Sequence, residues 1–154
     1  MEYLNTVSLK DSSVCQVRAY RESDYPDIKS MLETEKMFDQ VWDGEDSFRG
    51  MVHEDPTSVL VATVDEKVIG SMYVHSTRQG RGNWTFFWRL VVAPAYQKQG
   101  IATALLEAAE QILRICNLPE VCIFVEESNE PLKEFYAHRG WQTGGVYRSF
   151  WKKL

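Results

Sequence analysis

The sequence predicts an α/β fold in which a mixed central sheet of about seven strands is flanked by about four helices. The first observation is an apolar strand, Trp84–Val92, followed by an amphipathic helix over Ala102–Cys116 and a short apolar strand over Val121–Val125. A strand–helix–strand unit of this kind requires a parallel crossover. The second observation is a pair of β-branched runs on either side of Asp65 and Glu66, which predicts an antiparallel hairpin.

The first half of the chain supplies one strand, two helices and the hairpin. These elements cover a strand at Val14–Ala19, a helix that begins at Ser23 or Asp24, a helix at Asp43–His53, and hairpin strands at Ser58–Val64 and Lys67–His75. Proline has no backbone N–H group, and N–H groups in the first turn of a helix have no acceptor within the helix, so the first helix tolerates Pro26 there. Its apolar stripe runs through Ile28, Met31 and Leu32.

The second half of the chain supplies the remaining elements. In order they are a turn at Thr77–Asn83, the strand Trp84–Val92, the helix Ala102–Cys116, the strand Val121–Val125, a helix at Glu130–His138, and two short strands at Trp141–Thr143 and Val146–Trp151. Pro131 fits the first turn of the last helix, and Gly140 follows its end.

Length and composition favour one globular domain. A chain of 154 residues suits a single domain, which we place at residues 13–154, behind a polar N-terminal tail at residues 1–12 that we expect to be flexible. The net charge of −5 argues against a nucleic-acid partner, because such binding depends on cationic side chains. No apolar stretch is long enough to span a membrane, and no basic segment with a following apolar run predicts secretion, so we expect a cytoplasmic protein.

The three cysteines, Cys15, Cys116 and Cys122, lack the spacing of a metal site, and we expect reduced core thiols and no bound metal.

The most informative segment runs from Leu90 to Ala102, where a buried strand enters a long helix through a short turn. Backbone N–H groups at a helix start have no partner within the helix and lie at the positive end of its dipole, so such a turn can bind an anion. Gly100 allows a bulky anion to approach the main chain, Gln97 has an amide donor and Lys98 adds a positive charge. A plain tight turn is the alternative. The phosphate-binding lysine motif and the dinucleotide glycine motif are both absent.

This segment resembles the pyrophosphate loop of the GNAT acetyltransferase superfamily, whose pattern Q/R-x-x-G-x-G/A is filled by Gln97, Gly100 and Ala102. Three further segments resemble the family in the same order along the chain, with Trp141 in place of the usual Phe: Val17–Asp24, Val68–Gly70, and Asn129 with Tyr136, Gly140 and Trp141. The resemblance implies the GNAT-like sheet, splayed between the fourth and fifth of the predicted strands. It also implies transfer of acetyl from acetyl-CoA to a primary amine of a small molecule or peptide, by direct attack in a ternary complex.

The resemblance also implies the residues of the site. The acetyl-CoA-binding positions are Leu90, Val91, Val92, Gln97, Lys98, Gln99, Gly100, Ile101, Ala102, Asn129 and Tyr136. Leu90–Val92 would pair with the pantetheine arm, and Asn129 would hydrogen-bond to it. Tyr136 would act as the general acid that protonates the departing thiolate, with a core aromatic residue as its structural alternative.

The general base is the part of the family pattern that this sequence does not fill. Family members carry Glu on the strand that here reads Thr85–Arg89, or on the strand that here reads Ile123–Val125, and both segments lack one. Glu126 is the next candidate; otherwise the amine loses its proton to water. A non-catalytic module that binds acyl-CoA or a protein is the alternative function. A homodimer is left open, and four aromatic residues are candidates for an acceptor pocket: Phe38, Trp42, Trp84 and Trp88.

Overall fold

The computed structural model describes residues 3–79 and 82–154. These form two compact units, Met1–Cys122 and Ile123–Leu154, and each is treated by itself below. The prediction of one domain over residues 13–154 therefore stays a prediction.

Six strands form a sheet in the order β1-β2-β3-β4-β5-β6. Their bounds are β1 Asn5–Ser8, β2 Val14–Ala19, β3 Val59–Val64, β4 Lys67–Gln79, β5 Gly82–Val92 and β6 Cys122–Ile123. Neighbours from β1 to β5 are antiparallel. The described residues form five α-helices: α1 Tyr25–Thr34, α2 Gln40–Asp43, α3 Glu45–Glu54, α4 Ile101–Ile115 and α5 Glu130–Ala137. The α/β fold class is confirmed.

The N-terminal segment is better ordered than predicted. Residues 1–12 were expected to be a flexible tail, but Asn5–Ser8 pair with Val14–Val17 of β2. Leu9 is buried behind this strand, and the Asn5 amide donates a hydrogen bond of 3.3 Å to the Ala104 carbonyl of α4. Strand β1 has only four residues, and its sequence is mostly polar, so no apolar run marks it as a strand. Its stabilisation comes mainly from pairing with β2.

The C-terminal segment, in contrast, lacks the two strands predicted at Trp141–Thr143 and Val146–Trp151. Alternating apolar residues suggested strands there, yet Tyr147, Phe150 and Trp151 are at least 83% exposed. A strand needs a neighbour for its backbone groups, and the described part of the second unit contains no strand beyond Ile123. The sheet therefore has six strands rather than about seven.

The second predicted helix, Asp43–His53, is divided into α2 and α3 at Gly44. A Cβ atom at Gly44 would lie 2.4 Å from the Gln40 carbonyl oxygen, so only glycine allows the two helices to follow each other this closely. Asp39 caps α2 by accepting a hydrogen bond of 2.8 Å from the Val41 N–H group. The division places Asp43 at the end of α2, where its side chain is fully buried.

The two faces of the sheet are covered by different helices. One face carries an apolar cluster to which α1, α3 and strands β3 to β5 contribute Ile28, Met31, Leu32, Phe48, Val59, Val61, Val68, Tyr73 and Val91. Side chains alternate along a strand, so Leu60 and Ala62 of β3 face the other side, where α4 packs. Strand β5 is thus contacted by α1 on one face and by α4 on the other.

Candidate functional site

The turn between β5 and α4 contains two residues in the left-handed conformation, Lys98 at φ 59° and Gly100 at φ 86°. Gly100 is the N-cap of α4, and no side chain caps the helix. The N–H groups of Ile101 and Ala102 belong to the first helical turn, where no preceding helical carbonyl is available to accept their hydrogen bonds. Left-handed residues in such a turn direct successive N–H groups into a shared concavity. The turn therefore has the local form of an anion site.

The side chains of this turn fix its shape. The Gln97 amide donates a hydrogen bond of 3.0 Å to the Val92 carbonyl and so ties the turn to the end of β5. The Gln99 amide oxygen accepts a hydrogen bond of 3.1 Å from the Lys10 N–H group and ties the turn to the segment after β1. The side chains of Gln97 and Gln99 thus fix the turn, and the Gln97 amide, predicted as a donor to an anion, donates here to a carbonyl.

Gly100 is required by its backbone conformation rather than by crowding. A Cβ atom there would lie 3.8 Å from Val7, which is ordinary contact, but φ 86° is strained for any residue with a side chain. Next to the turn is an open cavity of about 330 Å³ whose lining includes Lys10, Tyr96 and Gln99.

Strand β5 is interrupted by a bulge just before the turn. Trp88 pairs with Tyr73 and Val91 with Ser71, so two residues of β5, Arg89 and Leu90, lie opposite one residue of β4. Arg89 adopts φ 52°. As a result Trp88 and Val91, three residues apart, contact the same apolar cluster, which a regular strand with its period of two would not allow. The bulge therefore sets the direction in which Leu90–Val92 present their backbone groups.

A buried carboxylate, Asp43, holds this bulge. Asp43 Oδ1 accepts hydrogen bonds from the Tyr73 hydroxyl at 2.8 Å and from Arg89 Nε at 3.2 Å. Asp43 Oδ2 accepts from the Asp39 N–H group at 2.8 Å and pairs with Arg89 Nη2 at 3.2 Å. Burial raises the pKa of Tyr73, and the neighbouring Asp43 carboxylate raises it further.

This Asp43 cluster, which consists of Asp39, Asp43, Tyr73 and Arg89, was not predicted from the sequence. The available signal was an arginine inside an otherwise apolar strand. A guanidinium in that position needs an anionic partner, but local sequence does not identify which acid it is.

Aromatic rings line β5 on the side of α2. Trp42 lies edge-on to Trp88 with ring centroids 5.7 Å apart, Phe86 is 6.2 Å from Trp88, and Trp84 is 5.9 Å from Phe86. Trp42 and Trp84 are exposed. Phe38, the fourth residue predicted for an acceptor pocket, packs on the apolar cluster, with the Lys29 ammonium 5.5 Å above its ring. The aromatic row is therefore Trp42, Trp84, Phe86 and Trp88.

The second unit contains Tyr136, Asn129 and Glu126. Tyr136 lies on α5 with 5% of its surface exposed, between the rings of Phe135 and Trp141 at 5.2 and 5.4 Å. Burial raises the pKa of Tyr136 to about 12, although the Arg139 charge acts in the opposite direction. At neutral pH the phenol therefore keeps its proton.

Asn129 is the N-cap of α5, and its side-chain oxygen accepts a hydrogen bond of 3.2 Å from the Leu132 N–H group. Glu126 is exposed in the segment between β6 and α5. The predicted roles of Asn129, Glu126 and Tyr136 at a ligand stay predictions.

The described residues also bear on metal binding and membrane insertion. Residues 3–79 and 82–154 contain no group of three or more His, Cys, Asp or Glu side chains placed to hold a metal ion. Within the same ranges, each helix is too short or too polar to cross a bilayer. All three cysteines are free, but of the three only Cys15 is buried, and Cys116 is exposed, so the expectation of core thiols was wrong for Cys116.

A family model described as the acetyltransferase (GNAT) family matches residues 16–141 of this chain. An aminoglycoside acetyltransferase from an uncultured soil metagenomic sample is 16% identical with a TM-score of 0.73, over 90% of this chain and 99% of that chain. Glucosamine-6-phosphate N-acetyltransferase from Arabidopsis thaliana is 14% identical with a TM-score of 0.72, over 90% of this chain and 99% of that chain. A predicted acetyltransferase with acetyl-CoA from Clostridium acetobutylicum is 13% identical with a TM-score of 0.70, over 88% and 95%. At these identities the structures show a common fold.

Proposed function

This chain belongs to the GNAT N-acetyltransferase family, and we propose that it transfers the acetyl group of acetyl-CoA to a primary amine of a small molecule or peptide. The observation that carries the proposal is the turn from Gln97 to Ala102, which combines left-handed residues with a helix start that no side chain caps. A pyrophosphate is a suitable ligand for such a turn, because it is a dianion whose oxygens accept hydrogen bonds from several N–H groups at once.

Each part of the turn would bind acetyl-CoA through the main chain. The N–H groups of Lys98 to Ala102 would donate to the pyrophosphate, and the helix dipole of α4 would favour its charge. The backbone of Leu90–Val92 would pair with the amide groups of the pantetheine arm, as an added strand pairs with a sheet edge. Asn129 would contribute a side-chain hydrogen bond to the same arm.

The side chains of this protein would transfer protons and orient the two substrates. A thioester supplies an acyl group activated toward attack by an amine, so the amine nitrogen forms the new bond while the carbon–sulfur bond breaks. The Tyr136 phenol would give its proton to the leaving sulfur, a role that suits a hydroxyl whose pKa is raised to about 12 by burial. Glu126, or water, would take the proton that the amine loses. Both substrates would be bound together, in a ternary complex.

The acceptor is proposed from two kinds of support. The similar structures include an aminoglycoside acetyltransferase and glucosamine-6-phosphate N-acetyltransferase, and both names give a polar small molecule with amino groups as the acceptor. In this chain, the exposed ring of Trp42 beside Trp88 offers a flat apolar surface of the kind on which sugar rings and ammonium groups pack. Among possible acceptors, we therefore favour an amine carried on a small polar ring, such as that of an amino sugar.

A non-catalytic module that binds acyl-CoA is the second candidate. It is favoured by one observation: the β5 segment Thr85–Arg89 and the segment Ile123–Val125 contain no carboxylate to act as a base. This candidate predicts that acetyl-CoA binds without turnover, so measuring turnover distinguishes it from the acetyltransferase.

The test is release of free CoA thiol from acetyl-CoA in the presence of amino sugars, polyamines and peptides. The reaction is run with and without EDTA, and the protein's own thiols are subtracted with a blank that lacks acetyl-CoA. We expect acceptor-dependent release that continues beyond one equivalent of protein and is insensitive to EDTA. Binding without release for any acceptor would support the non-catalytic module, and loss of turnover in EDTA with recovery on adding Zn²⁺ or Mg²⁺ would contradict a metal-free reaction.

A further inference from the structure

We propose that Asp43 is a positioning residue of the transfer reaction: through Arg89 it holds the bulge of β5 in the form that aligns Leu90–Val92 with acetyl-CoA. The inference rests on the proposed function, because it assumes that Leu90–Val92 bind the pantetheine arm. Asp43 itself is fully buried, so it would act through Arg89 rather than by direct contact with a substrate.

The bulge needs an external restraint because its central residue is in an unfavourable conformation. Arg89 has φ 52°, a region that residues with a Cβ atom rarely adopt. Relaxing Arg89 to a β conformation would restore a regular pleat and turn the N–H and C=O groups of Leu90–Val92 to the opposite side. The state of residue 89 therefore decides which backbone groups the strand end offers to a ligand.

The Asp43 cluster supplies that restraint through contacts with both β4 and the start of α2. The Arg89 guanidinium is held by both carboxylate oxygens, and these are fixed in turn by the Tyr73 hydroxyl of β4 and the Asp39 N–H group at the start of α2. Because the carboxylate is fully buried and each of its oxygens accepts two contacts, its orientation is fixed. A change of Arg89 to a β conformation would move its side chain relative to this fixed carboxylate, so the ion pair would favour the left-handed conformation.

The same pair connects the bulge to the aromatic row. The Arg89 guanidinium lies 5.4 Å from the Trp88 ring, and Trp88 contacts Trp42 of α2. Asp43 is the last residue of α2, so one carboxylate holds both the helix that carries Trp42 and the strand end predicted to bind acetyl-CoA. A buried ion pair is a weak source of stability compared with apolar packing, which makes geometry the better reason for this one.

The experiment measures acetyl-CoA affinity by calorimetry, at a temperature where every variant is folded. We expect Asp43→Asn, which keeps the shape and removes the charge, to weaken binding at least about tenfold. The matched control is Asp24→Asn, which breaks another buried arginine–aspartate pair, Arg18–Asp24, with contacts of 2.7 and 2.9 Å. That variant should lower the thermal midpoint and leave the affinity within about twofold of wild type.

A pair of double variants separates backbone geometry from folding. Asp43→Asn/Arg89→Gly and Asp43→Asn/Arg89→Ala both remove the two charges, and they differ by one methyl group at residue 89. Glycine adopts φ 52° freely and alanine does not, so the glycine variant should bind acetyl-CoA about tenfold more tightly than the alanine variant. Equal affinities of the two, or wild-type affinity in Asp43→Asn, would overturn the positioning role alone. Absence of binding by the wild-type protein would overturn the proposed function as well.

Discussion

The turn before α4 and the Asp43 cluster both act on the end of β5, but they are built in different ways. The turn uses backbone N–H groups, and the Gln97 side chain that braces it binds a carbonyl five residues away. The Asp43 cluster uses side chains, and its contacts join Asp43 to Tyr73 and Arg89, which lie 30 and 46 residues further along the chain. The turn should therefore respond to changes of backbone conformation, and the cluster to changes of charge.

The largest expected effect is on stability, at Asp43. Asp43→Ala leaves the Arg89 guanidinium without its buried partner and the Tyr73 hydroxyl without an acceptor, so the free energy of unfolding should fall by about 3–5 kcal/mol. Urea denaturation of wild type and variant measures this. A loss below about 1 kcal/mol would show that water replaces the carboxylate and that the cluster does not hold the strand.

The next effect is on catalysis, at Tyr136, which belongs to neither region. Tyr136→Phe removes only the hydroxyl, so kcat should fall at least about tenfold while acetyl-CoA affinity stays near wild type. Because burial raises the pKa of Tyr136 to about 12, the acid form persists from pH 7 to about pH 10, and kcat should not fall in that range from loss of this proton. An unchanged kcat with a lowered thermal midpoint would assign Tyr136 to the core.

A smaller effect is expected on affinity, at Gly100 in the turn. Gly100→Val places a β-branched residue at φ 86°, which costs about 1–3 kcal/mol and displaces the N–H groups of the helix start. Acetyl-CoA affinity should fall by about tenfold, from a wild-type dissociation constant in the micromolar to sub-millimolar range. Gly50→Val is a suitable control, because Gly50 lies on α3 and, apart from its chain neighbours and the backbone of its own helix, no atom lies within 4 Å of its Cβ position. Unchanged affinity in Gly100→Val would remove the turn from the binding site.

The sequence was informative where a function depends on residues that are close together in the chain. Gln97, Gly100 and Ala102 could be recognised because they fill the GNAT pattern Q/R-x-x-G-x-G/A within six consecutive residues. Their role in binding stays a prediction. Helix α4 was predicted within one residue at each end because its apolar stripe is continuous and its helical period is unambiguous.

The sequence was less informative where structure depends on distant partners. Strand β1 was missed because its ordering comes from pairing with β2, and two C-terminal strands were predicted that lack a partner in their own unit. The Asp43–Arg89 pair was missed for the same reason: an isolated acid at the end of a short helix looks like an ordinary cap. The bulge at Arg89 left no sign in the apolar pattern, because every residue near it except Arg89 is apolar.

Mass spectrometry of the acceptor shows directly whether the chain transfers an acetyl group. An amino sugar is incubated with acetyl-CoA and with either the wild-type protein or Tyr136→Phe, and the acceptor is then analysed. We predict that the acceptor gains the mass of one acetyl group on nitrogen, in molar excess over the wild-type protein and more slowly with the variant. If acetyl-CoA binds to the protein but neither amino sugars, polyamines nor peptides become acetylated, the account of this chain as an N-acetyltransferase is contradicted.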